Sequence, residues 1–236
     1  MTTTSEIISP ERQARLAPPH LVGGIGGLVF AATVIAQNII RGFHGPARDA
    51  SATTVIHFYA THRTTTLVLA ALFPLGAAGL AAFLGALGSR LGTSRSRVPA
   101  LAGILGAAGI FATFTMMIAT ETALAGYIHR GSPDPGVVSA LWVTHNAVFG
   151  VLLVSIAVAL AGLSTAASTS GLVARIWKPA GAAGAIALLI TGAATPALVD
   201  GSGIIGLGLI GFLGWIAFVT AAAIALLRRP SANDSR

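Results

Sequence analysis

The chain has 236 residues, 54% of them hydrophobic and 9% charged, and a mean hydropathy of +0.83. Soluble domains carry about 25% charged residues, so this composition belongs to a membrane protein. The formal charge of +7 comes from 14 basic and 7 acidic residues scattered between apolar runs, which is not a nucleic-acid-binding pattern. The chain has no cysteine, which excludes disulfides, Cys-ligated zinc, iron–sulfur clusters, c-type haem and thiol catalysis.

Residues Met1 to Pro19 are polar and include Glu6, Glu11, Arg12 and Arg15. They lack the basic-then-apolar design and cleavage site of a secretory signal, so the first apolar stretch reads as an uncleaved anchor. Six such stretches follow in order: Leu21–Ile40, Thr64–Leu87, Val98–Thr120, Val137–Leu163, Pro179–Val199 and Ile204–Leu227, with no charged residue inside any of them. A helix needs about 20 apolar residues to cross a hydrocarbon core about 30 Å thick, and each stretch has that length. None shows the period-two alternation of a barrel strand, and lipid forces the backbone to bond within its own segment. The expected fold is an all-α bundle of six transmembrane helices over residues 20–228, between tails at 1–19 and 229–236.

Ser96 before Val98-Pro99 and Asp134 before Pro135 read as helix N-caps with proline in the first turn. Pro74 and Pro196 fall inside stretches two and five, where they should kink the helix. Between the first two stretches, Ala52, Val55, Ile56 and Tyr59 follow helical spacing. That pattern predicts an amphipathic helix on the outer surface, or a lid over an outward-facing pocket.

With both ends on one side, that side carries ten basic residues, from Arg12 to Arg236, against Arg41, Arg48, Arg63 and Arg130 on the other. Positive charge favours the cytoplasm, so both termini are placed there, in a bacterial plasma membrane. Glycines recur at helix-packing spacing, as at Gly103, Gly106 and Gly109 or Gly208, Gly211 and Gly214. Such stripes let helix backbones approach closely, within this bundle or toward a membrane partner or second copy. Tyr127 and Trp177 at stretch ends read as interfacial anchors.

The polar residues gather on the outer side. His44, His57, His62, His129 and His145 lie there, with Glu121 and Asp200 at the outer ends of stretches three and five. Tyr59-Ala60-Thr61-His62 and Trp142-Val143-Thr144-His145 share an aromatic-x-Thr-His pattern, each histidine eleven residues after an N-cap candidate, Ser51 or Asp134. A repeat of stretches two-three and four-five would bring His62, His145, Glu121 and Asp200 to one depth. Two imidazoles and two carboxylates could ligate a divalent metal, two histidines a b-type haem, and an acid beside a histidine could relay protons. Against these stand solvation of the acids at the interface and a structural role for a buried histidine.

No His-Glu-x-x-His is present, no histidine follows Ser202, and Lys178 at the cytoplasmic interface is misplaced for a retinal Schiff base. Phe58-Tyr59-Ala60-Thr61-His62-Arg63, entering a long apolar span, resembles an uncharacterised family of small actinobacterial multi-pass membrane proteins. That resemblance implies topology and location only. Three classes remain: a metal- or haem-dependent membrane enzyme, a proton-coupled small-solute transporter, and a non-catalytic membrane subunit or scaffold with an outward-facing polar pocket. The last has the fewest requirements.

Overall fold

The computed structural model describes residues 18–91 and 95–228, without the side chains of residues 42–44. Nearly all of both tails and the His44 side chain therefore lie outside the described residues. Among the described residues the regular structure is entirely helical: α1 (Pro19–His44), α2 (Ala52–Thr61), α3 (Arg63–Arg90), α4 (Arg97–His129), α5 (Pro135–Thr169), α6 (Trp177–Ala193), α7 (Thr195–Val199) and α8 (Ile205–Arg228). Five of these, α1, α3, α4, α5 and α8, are long and apolar enough to cross a membrane. Leu105, Ile210, Leu213 and Ile186 stay 72%, 64%, 57% and 56% exposed on the bundle's flanks. Large apolar side chains turned outward in such number suit a hydrocarbon solvent rather than water.

The fifth apolar stretch is interrupted. Proline cannot donate an amide to a helix and restricts the residue before it, and α6 stops at Ala193, with the chain turning at Ala194 before Thr195-Pro196 opens α7. The 17 residues of α6 span about 26 Å at 1.5 Å per residue, and α7 continues toward the same end. Pro74, by contrast, lies inside an uninterrupted α3.

Helix starts follow local chemistry only in part. Asp134 caps α5 as its carboxylate accepts from the amides of Gly136 at 2.6 Å and Val137 at 3.2 Å, and Ser51 caps α2 through the Thr54 amide at 3.3 Å. Ser96 does not cap α4. Its hydroxyl turns back and donates to the Leu91 carbonyl at 2.7 Å, tying α4 to the end of α3.

Close backbone approach organises the packing. α5 is the central helix, with α4 and α6 along its sides and α2 and α7 against its N-terminal half. Along the α4–α5 seam, a Cβ on Gly106 would lie 2.9 Å from both the Ala159 Cα and the Ser155 carbonyl oxygen. α6 runs antiparallel to α5, Gly181 against Ser164 and Gly192 against Gly150. α1 lies antiparallel to α8, with Gly24 on Leu227 and Gly27 on Ala223, and Phe30 meets Trp215 edge-on at 6.3 Å. These glycine faces are therefore consumed inside the bundle. Trp177 also packs inward, edge-on to Phe218 at 5.9 Å.

The lead-in helix is present as α2, and it does more than lie on a surface. Its Val55 and Tyr59 are buried against Leu124, Ile128, Val138 and Trp142 of α4 and α5, so α2 closes one end of the bundle.

Candidate functional site

Beneath α2 lies a cavity of about 530 Å³, within the range of about 300–1,000 Å³ for small-molecule sites. Its walls come from α1, α3, α4, α5 and α8, and Phe58 and Tyr59 of α2 cover it. The deep part is apolar, with Phe30, Ile110, Phe114, Leu153, Ile156 and Trp215. The rim is polar, with Arg41, Arg48, Glu121, His145 and Asn146.

The rim is built from three elements. Arg41, in the last turn of α1, grips Glu121 of α4 in a fork: Nε donates to Oε1 at 3.1 Å and Nη2 to Oε2 at 2.7 Å. Two parallel charge-assisted bonds are the strong form of an arginine–carboxylate pair, and only 8% of the Glu121 side chain is exposed. His145 of α5 holds Nε2 at 3.8 Å from Glu121 Oε1, an electrostatic neighbour beyond hydrogen-bond length. Its ring stacks on Trp142 one turn earlier, centroids 5.2 Å apart and 6° from parallel, as the i, i+3 spacing on a helix allows. His145 Nδ1 is buried without a hydrogen bond among the described residues.

The loop from Gly45 to Ser51 completes the rim. Trp142 Nε1 and Asn146 Nδ2 both donate to the Arg48 carbonyl at 3.0 Å. The Arg48 side chain folds back over the Phe149 ring, 4.0 Å from its centroid, with Nη1 3.5 Å from Asn146 Oδ1. Among the described residues no carboxylate pairs with it. Burial alone pulls its pKa below the ordinary arginine value. Two guanidiniums against one carboxylate leave the rim with a net positive charge.

The four residues singled out by sequence fare differently. Glu121 and His145 meet at the rim. His62 breaks the chain between α2 and α3, stacks on Phe58 at 4.7 Å and has Nδ1 2.8 Å from Thr61 Oγ1, and it does not line the cavity. Asp200 ends α7 and also stays off the cavity wall. The next residue, Gly201, has φ +80°, and a Cβ there would lie 2.8 Å from the Asp49 carboxyl carbon, so the α7–α8 turn abuts the loop after α1. No group of three or more His, Asp and Glu side chains suited to a metal is gathered among the described residues. His57 and His129 are exposed.

The sequence reading passed over Arg41 and Arg48, which it used for topology alone, and Asn146. A carboxamide directly beside a histidine inside an apolar run was the available signal for Asn146. No family model, curated protein or solved structure matches the chain, so residues and geometry carry the functional reading.

Proposed function

We propose that the chain is a six-pass plasma-membrane protein with both termini in the cytoplasm, and that it holds a small amphiphile in an outward-facing cavity without acting on it chemically. The supporting observation is the cavity itself: an apolar body ending in a charged rim, reached from two directions. Gly45 and Ala47 are exposed at the rim, while Leu209, 54% exposed, and Gly206 are exposed on the flank of α8. A ligand with a wet end and an oily end fits such a site.

Six passes are favoured by the placement of α6 and α7. Their chain runs antiparallel beside α5 and reaches the Asp49 end of the bundle, so α6 with α7 would complete the crossing that α6 alone falls short of. The cysteine-free chain makes this directly testable. In cells, Thr53→Cys and Gly203→Cys should react with a membrane-impermeant maleimide, and Arg175→Cys only after permeabilisation. The same behaviour at Gly203→Cys and Arg175→Cys, both protected or both labelled in intact cells, would remove the sixth pass.

Binding is checked with a brominated hexadecyl amphiphile and intrinsic fluorescence, since Trp142 and Trp215 line the cavity. Quenching should saturate in the native protein. Val34→Phe intrudes on the cavity, and an overpacking cost of about 1–3 kcal/mol should weaken binding about 5- to 150-fold. Unsaturable quenching, or a variant that eluted as a folded protein and bound like wild type, would count against the reading.

A further inference from the structure

We infer that the occupant is a single-chain amphiphile with one anionic head group, which Arg48 pairs with at the rim while the chain lies among Phe30, Phe114, Leu153 and Trp215. This rests on the binding role proposed above and specifies its ligand class.

Charge is the first argument. Arg41 is satisfied by Glu121 through both carboxylate oxygens. Among the described residues Arg48 has only the 3.5 Å approach to an amide oxygen and the face of Phe149. A guanidinium held partly out of water recovers its lost hydration by taking an anion, carboxylates and phosphates being its natural fork-shaped partners. A second observation lies beside it: His145 is 6% exposed, lines the same cavity and has a buried Nδ1 with no hydrogen bond among the described residues. A polar ligand atom near the rim would meet that need, because native interiors seldom leave such groups unpartnered.

Size is the second argument: a cavity of about 530 Å³ lies within the range of small-molecule sites of about 300–1,000 Å³ and has room for one long chain with its head group. The route of entry is the third. α1 and α8 touch through Gly24 and Gly27 at their far ends, and Phe30 against Trp215 is the last ring contact before the cavity opens between them. Asn38 of α1 and Leu209 of α8, both lining that opening, are exposed on the bundle's flank, so a lipid-like chain can enter sideways from the bilayer.

The test uses full-length protein in phosphatidylcholine nanodiscs and compares hexadecanoate with hexadecanol, each competing against the brominated probe. Hexadecanoate should bind at least about tenfold more tightly, as expected for a charge-assisted bond. Arg48→Gln should bring the affinity ratio of hexadecanoate to hexadecanol down to about one. Equal binding of acid and alcohol by the native protein would overturn the anionic head group and leave the amphiphile site standing. Displacement by acetate or inorganic phosphate alone would overturn the chain-binding half, and displacement only by phosphatidylglycerol vesicles would replace the single chain by a diacyl lipid. Absence of saturable binding by any of them would overturn this inference and the proposed function together. The comparison of acid with alcohol needs no variant, so misfolding of Arg48→Gln would not shelter the proposal.

Discussion

Glu121→Leu is expected to destabilise the protein by about 3–5 kcal/mol, because removing one partner of a buried ion pair strands the other charge. The lower end of that range applies. Arg41 keeps 21% of its side chain exposed and sits in the last turn of α1, where a long side chain can reach toward water. The double variant Arg41→Leu/Glu121→Leu should recover to within about 1 kcal/mol of wild type, since apolar replacement of both partners is often close to neutral. Unfolding in mixed detergent micelles, read by near-ultraviolet circular dichroism, supplies the comparison. A double variant no more stable than Glu121→Leu would mean that the carboxylate holds something other than Arg41.

An alanine at Gly162 should be among the most damaging single methyl groups that can be added. Its Cβ would lie 2.6 Å from both the Gly103 Cα and the Pro99 carbonyl oxygen, and backbone atoms cannot rotate aside as side chains do. Forcing α4 and α5 apart should cost at least about 3 kcal/mol, the upper range for overpacking. Gly85→Ala and Gly126→Ala add the same methyl where nothing lies within 4 Å. There the helical preference for alanine should stabilise by about 0.5–1 kcal/mol. The same chemical change with opposite sign separates seam from surface. Equal effects at the three positions would contradict the tight α4–α5 contact.

Much of the fold was legible because charge is so costly in hydrocarbon that its absence marks out the spans. The exception is instructive. Pro179–Val199 has the length of a span, but Pro196 splits it into α6 and α7, and composition alone does not reveal which side of a proline the helix abandons. The lead-in helix at Ala52–Thr61 was readable from its period, although its burial against α4 and α5 was not.

The candidate site was legible only where one residue sufficed. Glu121 and His145 stood out as polar groups in or beside apolar runs, and they do face each other. Pairing His62 with His145 depended on counting eleven residues from a cap along one continuous helix. That count fails because the chain breaks at His62, where a new helix begins, while His145 lies well inside α5. Arg41 reaches Glu121 across 80 residues of sequence, a partnership created by which helices become neighbours and invisible to any local pattern.

The grip on the Arg48 carbonyl has a mechanical meaning. Its two donors, Trp142 and Asn146, are one turn apart on a single face of α5, and His145, seated between them, is fastened to Trp142 by stacking. Loop, indole, imidazole and guanidinium are thus geared to one shaft. Turning α5 about its axis would release both donors at once, unlatch the loop that carries Arg48 and swing His145 away from Glu121, so the rim would come apart as a unit and not residue by residue.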